Sequence, residues 1–146
     1  MDAPRLGLVG TPGARTAAWE FSPDLRAPGQ ARALIRTELS SWRLNDPSDV
    51  DDIVLMVDEL VANAVVHGKG RIRLRLLLDG LLLRGEITDD SPLEPPPAPV
   101  AERPFDAEDG RGLFLVAMLA ADSGCSSAGS GKTVWFTRRL TGLDGA

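Results

Sequence analysis

Apolar residues recur at helical spacing through 57–68, VDELVANAVVHG, at Val57, Leu60, Val61, Ala64 and Val65. The pattern predicts a helix from about Asp46 to His67. Asp46-Pro47-Ser48-Asp49 supplies capping side chains and early acids, and Gly68 is placed to stop it. Beside the apolar stripe, at i, i+4 and i+8, stand Glu59, Asn63 and His67, which share one helix face. Upstream, Ala31, Leu34, Ile35, Leu39 and Trp42 predict a helix over 28–42, with Pro28 tolerated in its first turn. Strict alternation in Arg71, Ile72, Arg73, Leu74, Arg75 and Leu76 predicts a half-buried strand over 71–78. Its arginines read as a solvated sheet face rather than an anion site. Asp79-Gly80 is a hairpin signal, and 81–88, LLLRGEIT, returns as the partner strand and delivers Asp89. TAAWEF, residues 16–21, reads as a first strand. An apolar helix is expected over 113–121, opened by Asp109-Gly110-Arg111-Gly112. Strands are expected over 123–128 and 133–140, about a turn at Gly129–Lys132. The predicted order is β α α β β α β β, without repeats.

Two segments fall outside the pattern. Residues 1–15 have no period and read as a flexible arm before a single domain, 16–141. Residues 90–109 hold six of the eleven prolines, so neither helix nor central strand runs through most of them. A long irregular segment within a small domain suggests a lid over a site.

Composition narrows the classes. A chain of 146 residues, 43% hydrophobic and 25% charged, suits one globular domain with one core. Its net charge of −5 argues against general affinity for nucleic acid. No apolar run reaches the roughly 20 residues that span a bilayer, and the N-terminus lacks an apolar signal core. The single cysteine, Cys125, excludes an internal disulfide or a cysteine-based zinc cluster and is expected as a small buried apolar residue. A cytoplasmic protein is the expectation.

Three stretches carry candidate chemistry. Asn63 offers an amide oxygen, a hard ligand of the kind Mg²⁺ accepts while keeping several waters. Glu59, one turn earlier, can take a proton from a hydroxyl or water. Gly110 and Gly112, before a helix start, can present bare backbone N–H groups to phosphate oxygens. Asp89, beside the lid, can accept a hydrogen bond from an exocyclic amine such as that of adenine. Each element has a plainer reading too. The Glu-x-x-x-Asn pair fits a solvent-facing helix surface, Asp89 to Pro92 fits an Asx-type turn, and Gly-x-Gly fits a common loop. His67, the only histidine, reads as a polar residue closing its helix, placed to bond a backbone carbonyl. GSGKT, residues 129–133, resembles the end of a P-loop. The full pattern needs glycine where Ser126 stands, and it must open a helix, whereas VWFTRRL reads as a strand.

Taken together, DELVANAVVHG resembles the N-box of the GHKL (Bergerat-fold) ATP-binding family. ITDDSP resembles its first glycine box, GRGL its second, and GKTVWF its closing strand. The resemblance spans roughly Trp19 to Leu140, and its motif endings look most like the stand-alone anti-sigma-factor serine kinases of bacteria. It implies an α/β (α+β) two-layer sandwich: a mixed, mostly antiparallel sheet with helices on one face and ATP held under a lid. It implies Glu59 as the catalytic base, Asn63 as the Mg²⁺ ligand and Asp89 as the adenine contact. Gly110, Arg111 and Gly112 would surround the phosphates, Thr133 would line the adenine pocket, and Ser91 and Leu113 would join the cofactor-binding set. The first glycine box here carries Ser91, followed by Pro92, where the family usually has glycine two residues after its Asp. The implied activity is ATP- and Mg²⁺-dependent serine/threonine phosphorylation of an anti-sigma-factor antagonist. A sigma factor would be the other partner, and a homodimer would form through the region Trp19 to Trp42, whose apolar residues fit a core equally well. A non-catalytic ATP-binding module that sequesters a partner is the alternative. An ATPase module of a gyrase- or mismatch-repair-like machine, or of a two-component sensor, is less expected from so short a chain.

Overall fold

The computed structural model describes residues 14–92 and 108–141, with side chains from residue 112 onward in the second stretch. The expected arm and most of the expected lid lie outside the described residues. The elements follow the predicted order: β1 (Arg15–Phe21), α1 (Ala27–Ser41), α2 (Pro47–His67), β2 (Ile72–Asp79), β3 (Leu82–Asp89), α3 (Glu108–Leu119), β4 (Asp122–Ala128) and β5 (Gly131–Arg139). The strands form one sheet in the order β1-β2-β3-β5-β4. Where a mixed, mostly antiparallel sheet was expected, every pairing is antiparallel.

Local chemistry sets the element ends. The Asp46 side chain accepts from the Asp49 N–H at 3.0 Å and caps α2, with Pro47 in its first turn. The end of α1 is closed by Arg43 at φ 61°, and Leu44 N–H reaches back to the Leu39 carbonyl at 2.9 Å. That is a Schellman closure with arginine where glycine is usual, held by burial of both Leu39 and Leu44. The β2–β3 hairpin turns on Gly80-Leu81 and the β4–β5 hairpin on Gly129-Ser130. In each, the first loop residue is a glycine at φ +61°, the arrangement of a type II′ turn. The second turn is therefore shorter than expected, and Gly131 and Lys132 belong to β5.

Alternation divides the sheet into two faces. Ala17, Trp19, Phe21, Ile72, Leu74, Leu76, Leu78, Leu83, Ile87 and Phe136 are buried. They meet the apolar side of α2, which contributes Ile53, Met56, Val57, Leu60 and Val61, while α1 packs on α2 through Ala31, Ile35 and Leu39. Trp19 and Trp42 are both in this core with Phe21, Ala27, Ala31, Ile35 and Leu39 between them, whereas Leu25 is exposed. The opposite face is the solvated, arginine-rich one expected. Arg71 pairs with Glu20, Arg73 with Asp90, and Arg75 and Arg84 with Glu86. The Arg84 guanidinium also lies over the Trp135 ring, 4.4 Å from its centre.

One buried carboxylate ties the ends of this arrangement together. Asp49, in the first turn of α2, accepts from Arg138 Nη2 at 3.1 Å, Thr141 N at 3.0 Å and Thr141 Oγ1 at 2.9 Å. Arg138 also pairs with Asp52 at 2.6 Å and donates to the Leu119 carbonyl at 3.1 Å. Burial alone raises the Asp49 pKa, but the Thr141 and Arg138 donors outweigh it and hold the carboxyl below its ordinary value.

Candidate functional site

Two glycines show where the sheet and helices leave room. Gly112 faces α2, and a Cβ built on it would lie 3.0 Å from Glu59 Oε2 and 3.4 Å from Asn63 Nδ2. Gly68, just past α2, faces Asp89, and a Cβ there would lie 2.7 Å from Asp89 Oδ2 and 2.5 Å from the Ala64 carbonyl. A side chain at either position would fill space that these polar groups use. Gly68 thus ends α2 for a reason other than the usual left-handed cap. Its backbone is extended, at φ −86° and ψ −174°, and what it provides is close approach to Asp89.

Asn63 and Asp89, which these glycines face, both line a cavity of about 160 Å³. An apolar cavity of ~150 Å³ accepts a flat six-membered ring. Here α2 contributes Leu60, Asn63, Ala64 and His67, and α3 contributes Leu113. The sheet contributes Ile87 and Asp89 from β3, Cys125 from β4, and Lys132 and Val134 from β5. The walls are mostly apolar, with a few convergent polar groups, the usual make-up of a small-molecule site.

The two ends differ chemically. At one, the buried carboxylate of Asp89 is fixed by Ser91, whose N–H donates to Oδ1 at 2.7 Å and whose hydroxyl donates to the same oxygen. The Asx turn expected at Asp89 is thus present, and the same residue lines the cavity. A fixed carboxylate acceptor suits a group that donates hydrogen bonds. The other end holds Glu59 and Asn63, one helical turn apart, beside the start of α3. A helix N-terminus favours anions.

Several expected residues are placed differently from their sequence reading. Gly110 and Gly112 do not precede a helix, because α3 begins at Glu108 and contains both. The N–H of Gly112 lies past the four unpaired donors of a helix start. Its contribution becomes steric, clearing Glu59 and Asn63. The side chain of Arg111 lies outside the described ones. Thr133 is not in the cavity wall. Its hydroxyl shares a 2.7 Å hydrogen bond with Thr88 on the solvated face, and its neighbours Lys132 and Val134 line the cavity instead. Cys125 is exposed to the cavity rather than buried in the core. His67 is an exposed cavity residue, and among the described residues no hydrogen bond holds its imidazole. GSGKT forms a hairpin and the start of a strand, as its poor match to a P-loop predicts. Sequence reasoning missed Lys132 and Cys125. The signal was strand parity, since both stand on the same face as Val134, Cys125 directly opposite it and Lys132 two residues before it.

No group of three or more His, Cys, Asp or Glu able to hold a metal is present among the described residues. The donor set around Asn63 is one amide oxygen with the Glu59 carboxylate nearby. That fits a Mg²⁺ ion arriving on a polyphosphate, with waters and phosphate oxygens completing its shell. No helix among the described residues is long and apolar enough to cross a membrane.

The family model of the histidine kinase-like ATPase domain matches residues 21–138. Among solved structures, the chain resembles that of the RsbU and RsbW domains of Rv1364c from Mycobacterium tuberculosis. The TM-score is 0.65 at 24% identity, over 86% of this chain and 32% of that one. The likeness at this identity is one of fold, and the chain spans about a third of that structure's length. No curated protein matches it.

Proposed function

The chain belongs to the histidine kinase-like ATPase family, and from that premise we propose that it is an ATP- and Mg²⁺-dependent serine/threonine protein kinase acting as an anti-sigma factor. The observation that carries the reading is the pairing of Glu59 and Asn63 against Gly112, at the end of an apolar cavity whose other end is Asp89. The motif resemblance to anti-sigma-factor serine kinases supplies the substrate class, an antagonist protein bearing a serine or threonine hydroxyl. A sigma factor is the second partner and the cytoplasm the location. A second copy of the chain is the third partner. Within 19–42 the buried apolar residues belong to the core, while Leu25 is exposed.

In this reading Asp89 accepts from the exocyclic amine of adenine, and Ser91 keeps its carboxylate aimed. Leu60, Ala64, Ile87, Leu113 and Val134 exclude water from the ring faces. Asn63 would hold the metal through its amide oxygen. Mg²⁺ would neutralise phosphate charge at that end. Glu59 takes the proton of the attacking hydroxyl while the γ-phosphoryl passes to the hydroxyl oxygen and ADP leaves. Catalysis is then mostly positioning and electrostatics.

Glu59→Gln is expected to lower phosphate transfer to the antagonist at least ~100-fold, the scale of a lost general base, while Mg-ATP affinity stays within about three-fold. Asn63→Ala is expected to weaken Mg-ATP itself. Calorimetric titration and labelled-phosphate transfer read the two effects separately. Transfer at the wild-type rate by Glu59→Gln removes the base assignment. Wild-type ATP binding without any transfer leaves a regulatory ATP-binding module.

A further inference from the structure

Lys132, expected at the end of the Gly129–Lys132 turn, stands on β5 directly opposite Asp89 of β3, and both line the cavity. Directly paired residues of an antiparallel ladder have Cα atoms roughly 4.5–5.5 Å apart. The two side chains thus offer an acceptor and a donor side by side. The Asp89 carboxylate is engaged by Ser91 rather than by Lys132. Among the described residues no hydrogen bond or ion pair holds the Lys132 ammonium. The lysine is half-buried at the apolar wall beside Val134 and Cys125, and its flexible stem leaves three donors free to aim.

Resting on the nucleotide reading above, we propose that Lys132 reads the base. Its ammonium donates to the ring nitrogen adjacent to the exocyclic amine that Asp89 accepts. A 6-aminopurine presents such a donor next to an acceptor, on the ring nitrogen to either side of the amine. The pair also makes electrostatic sense. A lone buried carboxylate is costly beside a neutral ring, and an opposite charge across the ladder offsets that cost without drawing phosphate to this end. Lys132 is a specificity residue under this assignment, and the catalytic groups are untouched by it.

The test compares ATP with its 1-deaza and 7-deaza analogues, each lacking one of those ring acceptors, on the wild type and on Lys132→Met. Binding is read by calorimetry, and folding is checked by thermal denaturation. Wild type should bind one analogue about ten-fold more weakly than ATP, the scale of a lost hydrogen bond to a charged group. Lys132→Met should bind ATP about ten-fold more weakly and close that gap, because the partner is already gone. Lys132→Arg should restore part of both. A gap that persists in Lys132→Met overturns the assignment. So does an equal loss for ATP and both analogues, which would place the ammonium on the phosphates. If the wild type binds ATP but shows neither gap, the lysine assignment alone falls. If the wild type binds no ATP, the nucleotide reading falls and the lysine assignment with it. If Lys132→Met fails to fold, Lys132→Arg and the wild-type analogue gap decide: no wild-type gap overturns the assignment.

Discussion

A thiol in the wall of a ligand cavity reports on whatever fills it. Cys125 is exposed there, and partial burial pushes its pKa above the ordinary thiol value. Lys132 opposes that shift and Asp89 adds to it. The thiolate is the reactive form, so alkylation of Cys125 should be slow at pH 7 and rise about ten-fold per pH unit up to pH 8.5. Saturating Mg-ATP should slow it several-fold at every pH. A maleimide labelling time course measures both, and a rate indifferent to nucleotide would separate the thiol from the site. At this scale the sequence was informative where a residue's chemistry is local. Glu59, Asn63 and Asp89 were legible because i, i+4 spacing and a strand end place them without knowledge of the tertiary fold. Thr133 and Lys132 were exchanged for a different reason. Side chains alternate along a strand, so the pairing register sets which face each one takes, and Lys132 stands opposite Asp89 while Thr133 stands opposite Thr88.

Elements show what their ends are tied to. The N-terminus of α2 is fastened by Asp49 to the end of β5 through Arg138 and to the residues after it through Thr141. A group whose folded pKa is depressed stabilises the fold above its unfolded pKa. That contribution is lost as pH falls through the folded pKa. Asp49→Asn should therefore destabilise the protein at pH 7 by about 2–4 kcal/mol, since it leaves Arg138 partly uncompensated. The difference from wild type should shrink below the ordinary aspartate range near pH 3.8. Urea denaturation at pH 7 and pH 3 measures this, and a constant difference would remove the ionic component. No local pattern reveals this contact, because Asp49 and Thr141 are 92 positions apart. The start of α3 was hidden by propensity. Each glycine in a helix interior costs roughly 1 kcal/mol relative to alanine, so Gly110 and Gly112 read as loop. Packing against α2, where Gly112 admits Glu59 and Asn63, overrides that preference.

For the molecule as a whole, element order and the division between core and solvated sheet face followed from periodicity alone. The arrangement of strands within the sheet did not, because pairing between distant segments leaves no mark in either segment's own pattern. That arrangement also sets a timetable. β2 and β3 are joined by two residues, while Asp89 and its β5 partner Lys132 are 43 positions apart. Closing a longer loop costs more chain entropy before any contact repays it, and non-local pairing slows folding. The β2–β3 hairpin and the α1–α2 pair are thus placed to form early, and the β3–β5 seam late. The cavity lies on that seam. During refolding, pulsed hydrogen exchange should protect β2–β3 amides before β3–β5 amides, and simultaneous protection would argue against this order. The chain would then acquire its framework first and its capacity to hold a ligand last.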